Sequence, residues 1–359
     1  MKKTCFVFIV ALFFVSAVFG QAAHKTTAAN ELPAISVVGD MTAKASSDED
    51  DGEVNKVDVR AIEFAFQGYL LPDVRTDIIL AAHKHGDEFE IELEEANVTF
   101  LNLFNTFGLK AGRVLPDIGK INKVHQHHWA FVDAPLVLEN FLGDHGLMGD
   151  GVSLSWLTPL PFFLQVEAGA YRIPEEHDHD EEEGCGHIGF SLADYAYTLK
   201  LWAGFEIAAD TELEIGLSGV SARGSHYEHH LDNVKLAAAD LTLKSVFSAY
   251  QKIIFRNEIF YLKRELPIGI MENYGMYSYL GFDIDKYINL GARYDWSENA
   301  YPKTSSKHDK ESRIAAIFTY SFSEATKLRL QYNYIPERET HEGYVQVLFG
   351  IGPHSHPLE

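Results

Sequence analysis

Histidine, acidic residues and one cysteine cluster in three short stretches of the sequence. One stretch, residues 175–187, reads EEHDHDEEEGCGH. Imidazole, carboxylate and thiolate groups are the ligands of zinc, copper and nickel. The candidate ligands of the three stretches are His125, His127, His128, His177, His179, Cys185, His187, His226, His229 and His230. Their spacing matches no structural zinc finger, so the composition predicts binding of Zn²⁺, Cu²⁺ or Ni²⁺ without a fixed geometry. Histidine as a merely polar loop residue is the alternative.

Motifs of common hydrolases and nucleotide-binding enzymes are absent from the sequence. It has no Gly-x-Ser-x-Gly, no His-Glu-x-x-His and no Gly-rich phosphate loop. We therefore expect a protein that is not an enzyme and that requires no cofactor, although it can take up a metal ion.

The charge of the chain restricts its partners. Among 359 residues, 52 are acidic and 30 basic, which gives a formal net charge of -22. Nucleic acid needs a basic surface, so it is excluded as a partner, and cations are favoured. Hydrophobic residues make up 46% of the chain, which is typical of a folded protein rather than a disordered acidic one.

The N-terminus is typical of an exported bacterial protein. Lys2 and Lys3 precede an apolar run of about 15 residues that is followed by small residues. We expect a signal peptide at 1–20, cleaved within 20–23, and a periplasmic tail at 21–33; a retained anchor is the alternative. No later stretch has the length of a spanning helix, so a membrane form would have to be a closed β-barrel.

Apolar and polar residues alternate along most of the remaining chain. Residues 327–334 are the clearest case, with Leu328 and Leu330 on one face and Arg329 and Gln331 on the other. The alternation slips by one residue near Glu95, which predicts a β-bulge there. About sixteen such segments, within a range of 14 to 18, fit between residues 34 and 350. Residues 351–359 are expected to form a C-terminal tail.

The connections between these segments alternate between short and long. The long ones are expected at 41–56, 116–149, 173–189, 223–233, 265–271, 298–310 and 338–341. This alternation is typical of an all-β, antiparallel outer-membrane barrel with tight periplasmic turns. A soluble β-sandwich or jelly roll is one alternative. A plugged receptor is another, but its barrel of about 22 strands would not fit the chain length.

The polar faces of the strands are expected to line a water-filled lumen. The predicted pore-lining residues are Glu63, Glu90, Glu92, Glu212, Glu214, Asp240, Lys244, Arg256, Glu258, Arg293, Lys327 and Arg329. Acidic residues prevail in the earlier strands and basic ones in the later strands. Opposite charged walls predict selection of solutes by charge and size, whereas ordinary water-facing charge is the alternative.

The longest connection, 116–149, is too apolar for an exposed loop. It contains Trp129, Phe131 and Phe141 among other apolar residues, so we expect it to fold inward and narrow the pore.

This region, together with segments before and after it, resembles a known group of proteins. The segments that carry the resemblance are Gly119-Lys120-Ile121-Asn122, Phe131-Val132-Asp133, Pro135-Leu136-Val137, Asn140-Phe141-Leu142-Gly143, Glu94-Glu95-Ala96 and Leu348-Phe349-Gly350. They are similar to small bacterial outer-membrane porin-like β-barrels, which are distantly similar to phosphate-selective-type porins and are sometimes labelled zinc-regulated outer-membrane receptors. The resemblance implies a channel without catalytic residues.

Together these features predict an outer-membrane porin for passive diffusion of small hydrophilic solutes or ions. Its extracellular mouth, rich in histidine and acid, would bind a divalent metal such as zinc. The expected partners are outer-membrane lipid, small solutes or cations, and other copies of the chain in a homotrimer. The alternative is a metal-capturing or adhesive barrel with a closed lumen.

Overall fold

Sixteen strands make up most of the described part of the chain. The computed structural model describes residues 33–48, 56–85, 88–143, 146–174, 191–226, 230–266, 269–300 and 310–353. The strands are β1 (Ala34–Ser46), β2 (Lys56–Leu71), β3 (Val74–His85), β4 (Glu88–Leu103), β5 (Phe107–Val114), β6 (Gly149–Leu157), β7 (Phe163–Ile173), β8 (Ser191–Ala208), β9 (Thr211–His226), β10 (His230–Val246), β11 (Lys252–Leu266), β12 (Gly269–Asp283), β13 (Ile288–Glu298), β14 (Lys310–Ser321), β15 (Thr326–Ile335) and β16 (Thr340–Ile351). The predicted signal peptide at 1–20 and most of the N-terminal and C-terminal tails lie outside the described residues.

The strands form one closed antiparallel barrel. Each strand pairs with its neighbours in sequence, and β1 closes the ring by pairing with both β2 and β16. Asp40, for example, lies opposite Ala61 on β2 and Leu348 on β16. Closure gives the backbone groups of every strand a partner, which leaves no free sheet edge. The predicted sixteen-stranded antiparallel barrel is therefore confirmed.

The two faces of the strands differ in polarity. On the outside, Leu199, Leu217 and Ile259 keep about half of their surface exposed. On the inside, Ser218 and Glu258 are buried. Since successive side chains of a strand point to opposite faces, one alternating sequence supplies both an apolar exterior and a polar interior.

A bulge interrupts the pairing of β3 with β4. Ile79 lies opposite Glu95 and Leu80 lies opposite Leu93, so Glu94 is the extra residue. As a result, the adjacent side chains of Glu94 and Glu95 both point into the barrel, where each contacts His125. The slip predicted near Glu95 is this bulge.

Two of the predicted long connections are wrong. The expected loop 223–233 is mostly strand, since β9 continues to His226 and β10 begins at His230. The expected loop 265–271 shrinks to 267–268 between β11 and β12. Alternation of polar with apolar residues is needed only in the lipid-facing band of the barrel. Strand ends beyond this band keep their backbone hydrogen bonds but lack the alternation, so the sequence pattern does not reveal them as strand.

The longest connection folds into the barrel, as expected. Residues 115–148, here called the inward loop, lead from β5 to β6 and contain the 3-10 turn Gln126–His128 and helix α1 (Leu136–Leu142). Ile118, Val137 and Phe141 are completely buried in one cluster with side chains of the barrel wall. Burial of one such side chain stabilises by about 1.5–3 kcal/mol, so the cluster strongly favours the inward position.

No helix in the described ranges is long and apolar enough to cross a membrane.

The pairing of β4 with β5 depends on a glycine. Gly112 has a φ of 130°, and a Cβ atom there would lie 2.1 Å from the carbonyl oxygen of Ala96. We expect Gly112→Ala to lower the free energy of unfolding by about 1–3 kcal/mol. Alanine is strained at this positive φ, and its Cβ atom would push β5 away from β4. Gly219→Ala is the control, since nothing lies within 4 Å of a Cβ at that position. Equal denaturant midpoints for the two variants in detergent micelles would contradict the close approach.

Candidate functional site

The inward loop is anchored to the wall by a carboxylate with little exposure, Asp133, whose side chain keeps 12% of its surface accessible. Its Oδ1 accepts a hydrogen bond from Arg293 at 2.9 Å, and its Oδ2 accepts one from Arg313 at 2.6 Å. Asn333 donates to Oδ2 at 2.9 Å, and Gln331 donates to Oδ1. Burial alone would raise the pKa of Asp133, but the two guanidinium charges hold it well below the usual carboxyl value. The loop therefore carries a permanent negative charge into a pocket built from β13, β14 and β15.

Arginines of the wall also bind the backbone of the loop next to Asp133. Arg329 donates to the carbonyl oxygens of Trp129 at 2.8 Å and Phe131 at 3.1 Å. Arg60, on β2, donates to the carbonyl oxygen of Val132 at 2.6 Å. These bonds come from opposite sides of β1 and β16, so residues 129–133 lie where the ring of strands closes.

A second anchor holds the start of the loop. The backbone N–H of Lys120 donates to Glu258 at 2.8 Å, and that of Gly119 donates to Ser218 at 2.9 Å. Lys200 donates to the carbonyl oxygen of Gly119 at 2.7 Å. Gly119 has a φ of 61°, and a Cβ there would lie 2.2 Å from a carboxylate oxygen of Glu258. Only glycine allows the loop to approach the wall this closely.

The Lys120 side chain completes this second anchor. Its Nζ donates to Glu214 at 3.0 Å and to Thr242 at 3.2 Å. Burial lowers the pKa of Lys120, and the nearby charge of Glu214 offsets only part of that effect. The loop thus presents a cation to the acidic wall of β9 and an anion, Asp133, to the basic wall farther round the barrel.

A third contact joins the loop to β2, β3 and β4 through imidazoles and carboxylates. We call the group Glu63, His83, Glu94, Glu95, His125 and His127 the His125 cluster. His125 lies between three carboxylates, with Nδ1 3.0 Å from Glu94 and 3.6 Å from Glu63, and Nε2 2.8 Å from Glu95.

The other two imidazoles of the His125 cluster contact the same carboxylates. His127 Nδ1 lies 3.1 Å from Glu63, and His83 Nε2 lies 3.2 Å from Glu94. Burial opposes protonation of His125, yet hydrogen bonds to Glu94 and Glu95 hold its pKa well above the usual imidazole value. Without a metal ion, the imidazolium form is therefore the one that fits between the carboxylates.

The side chains predicted to line the pore all lie on inward faces of the strands, but they differ in what they contact. Five of them are buried under the inward loop: Glu63, Asp240, Glu258, Arg293 and Arg329. Glu214 binds Lys120, whereas Glu212 and Lys244 lie 3.7 Å apart near a short turn. The remaining four are Glu90, Glu92, Arg256 and Lys327. The prediction of twelve water-facing side chains thus needs correction, because the loop packs over part of the wall.

A cavity of about 490 Å³ lies between the loop and the wall at the end of the barrel that carries the short turns. Residues 128–130 of the loop form one side of the cavity. Arg256, Lys327 and Arg329 line its opposite side, together with Asp283 and Asp285. Charged side chains therefore surround a space open to solvent at this end.

Three of the predicted metal ligands that the structure describes lie away from the expected outer mouth. His125, His127 and His128 lie inside the barrel, because the loop that carries them folds inward; this corrects their expected position outside. His226 and His230 are opposite each other in the β9–β10 pairing. The other five predicted ligands lie outside the described residues; they are His177, His179, Cys185, His187 and His229.

Several contact residues have no counterpart in the sequence-based prediction. Asp133, Arg313, Lys200 and Arg60 were not identified as site residues. One signal was present: Asp133 is the only charged residue in the apolar stretch 129–138. The phase slip at Glu94-Glu95 also indicated two adjacent inward carboxylates. Arg313 gives no local signal as a partner, since it lies 180 residues away from Asp133.

Removal of the Asp133 charge should release the loop. We expect Asp133→Asn to cost about 3–5 kcal/mol, because the buried Arg313 would lose its nearest carboxylate and Arg293 would keep only Asp295. Glu139→Gln is a control in the same loop, since Glu139 is partly exposed and 4.0 Å from Arg313. Denaturant unfolding and limited proteolysis of the loop report the effect. Equal stability and cleavage rates for the two variants would contradict the anchor.

Known proteins with a similar sequence or structure support the fold. No family model matches the chain. An uncharacterized protein of Aquifex aeolicus (strain VF5) is 28% identical over 307 residues, which cover 74% of this chain and 63% of that protein. The match thus spans less than two thirds of the relative's length.

Two solved structures illustrate the structural similarity. An anion-selective porin from Comamonas acidovorans has a TM-score of 0.56 at 12% identity, covering 89% of this chain and 100% of the other. The trimer form of OmpT, an outer-membrane protein of Vibrio cholerae, has a TM-score of 0.54 at 8% identity over the same shares of both chains. The resemblance to porin-like outer-membrane β-barrels is thereby confirmed at the level of the fold, and this chain has the closed-barrel fold of the outer-membrane porins.

Proposed function

We propose that the protein is an outer-membrane channel for passive diffusion of small hydrophilic solutes or ions, narrowed by the inward loop. The observation that carries this proposal is a closed barrel with an apolar outside and a charged inside. Sixteen strands enclose a space wide enough for water and solutes. The porin-like fold and the predicted signal peptide support a place in the bacterial outer membrane.

The cavity beside the loop supports a passage along the basic wall. In barrels of this class the short turns face the periplasm, so the cavity would open there. Lys327, Arg256 and Arg329 would attract anions or orient dipolar solutes as they pass. Acidic residues of the outer connections, in 47–53 and 175–183, would raise the concentration of cations at the opposite end. A solute would thus meet the acidic residues at one end of the barrel and the basic residues at the other. Both groups would attract or orient it without any chemical reaction.

The stretch 175–187 would add metal binding at the outer mouth. Its imidazoles, carboxylates and the Cys185 thiol are suited to Zn²⁺, Cu²⁺ or Ni²⁺. This part of the proposal rests on composition, since the stretch lies outside the described residues.

Assembly into a homotrimer is a further part of the proposal. The OmpT structure to which this chain is similar is a trimer form. The apolar outside of the barrel would contact lipid over most of its area and neighbouring copies over the rest.

A closed barrel that captures metal or serves adhesion is a second candidate. The extent of loop contact favours it, because the loop binds side chains of β2, β4, β8, β9 and β13–β15. Such a barrel would pass no current.

Single-channel recording of the refolded protein in planar bilayers separates the two candidates. We expect stepwise current from the unaltered protein. For Lys327→Glu we expect the reversal potential to shift in the direction of greater cation selectivity, because that change puts a negative charge beside the cavity. Lys263→Glu, on the outward face, is the charge-matched control and should leave the reversal potential unchanged. A silent bilayer would refute the channel and favour the closed barrel.

A further inference from the structure

We infer that the His125 cluster binds one divalent transition-metal ion, with zinc as the best-suited metal, inside the barrel between the inward loop and the wall. The site is separate from the outer stretch 175–187. It also stands independently of whether the barrel conducts, because its ligands are already assembled by the docked loop.

Three distances between donor atoms of the His125 cluster are close to those in a tetrahedral zinc centre. With zinc–ligand bonds of about 2.0–2.1 Å, neighbouring ligand atoms lie about 3.3–3.4 Å apart. In the barrel, His125 Nδ1 is 3.0 Å from Glu94 Oε2 and 3.6 Å from Glu63 Oε2. His127 Nδ1 is 3.1 Å from the same oxygen of Glu63. Small shifts of these four side chains would therefore place an ion between them.

Donor atoms from three side chains already converge. Glu63, Glu94 and His125 each offer one ligand atom, and these atoms lie within 4.8 Å of one another. Two of the residues come from the wall strands β2 and β4, and the third comes from the loop. His127 would supply the fourth ligand from the adjacent 3-10 turn. The set of two carboxylates and two imidazoles suits zinc, copper or nickel rather than calcium or magnesium.

A second layer of hydrogen bonds orients the primary ligands. Glu95 lies 2.8 Å from His125 Nε2, the ring nitrogen that points away from the proposed ion. Asn97 donates to Glu95 at 2.9 Å, which fixes that carboxylate in turn. His83 lies 3.2 Å from the other oxygen of Glu94. A carboxylate on the far nitrogen of a ligand imidazole is typical of zinc sites, because it selects the tautomer that exposes the metal-binding lone pair.

The environment favours a cation. Glu94 Oε2 is buried, and His125 Nδ1 lies 3.0 Å from it. The carboxylates of Glu63, Glu94 and Glu95 meet in one region of low exposure. A divalent ion would neutralise most of their combined negative charge, whereas one imidazolium at His125 neutralises only a third of it.

Metal binding would fasten the loop to the wall. The ligands on β2 and β4 are fixed by the barrel, and those at His125 and His127 move with the loop. An ion that binds only this arrangement stabilises the docked loop, by an amount that grows with the logarithm of the ratio of metal concentration to dissociation constant. The cluster would therefore act as a metal-dependent clamp opposite the Asp133 anchor.

Zinc titration of the metal-free, refolded full-length protein by calorimetry tests the site. We expect Glu94→Gln and His125→Gln to weaken the tightest zinc site at least tenfold. Glu92→Gln is the matched control, two residues earlier on the same inward face, and should leave that affinity unchanged. Deletion of 175–187 should likewise leave it unchanged. Full affinity in both cluster variants, or loss of the tightest site on deletion of 175–187, would overturn the assignment.

X-ray absorption of the unaltered protein at one equivalent of zinc covers the case in which a cluster variant fails to fold. We expect only nitrogen and oxygen neighbours at about 2.0–2.1 Å, with scattering from imidazole rings. A sulfur neighbour at about 2.3 Å would place the ion at Cys185 and refute the internal site. Single-channel recording tests the channel proposal and does not depend on where zinc binds. Failure of the metal site can therefore be told apart from failure of the channel proposal.

Discussion

The need to pair one buried negative charge fixes the arrangement of the whole interior. Asp133 is carried by an otherwise apolar segment, and a carboxylate that leaves water must find cations. Arg293 and Arg313 supply them from neighbouring strands, and these guanidinium groups are themselves buried by the loop. Loop and wall thus depend on each other: without the loop, the barrel would expose its arginines to water, and without the arginines, the loop could not enter.

The inward loop and the barrel wall together form a hydrophobic core inside the barrel, like the core of a globular protein. Apolar loop side chains such as Val137 and Phe141 share one buried cluster with Phe260 and Tyr277 of the wall. Charged contacts surround this core on several sides, with Lys120 on the acidic strands and Asp133 on the basic ones. The loop is consequently held across the width of the barrel, beside a cavity at the short-turn end.

The barrel itself could be predicted from the sequence because its physical basis is local. An outside that faces apolar surroundings and an inside that faces polar groups impose alternation on every strand, so the sequence predicts about sixteen strands. The apolar residues of 116–149 likewise predict an inward loop. The interior contacts could not be predicted in this way. Asp133 and Asn333 are 200 residues apart, and no local pattern marks such a pair. The same reason explains why His125 was placed at the mouth: its neighbours Glu63 and Glu94 become visible only once the loop is docked.

The position of the loop inside the barrel is tested most directly by cysteine cross-linking. A Cβ atom at Gly275 on β12 would lie 2.9 Å from the Cβ of Val137 in helix α1. A shift of the helix by about 1 Å would bring the two Cβ atoms to the separation of about 3.5–4.5 Å found in disulfides. In a background without Cys185, the pair Val137→Cys and Gly275→Cys should form a disulfide in the assembled barrel. The pair Val137→Cys and Gly219→Cys, with the second residue on the outward face, should not. A Val137–Gly275 pair that stays reduced under oxidising conditions in the folded barrel would contradict the docked loop.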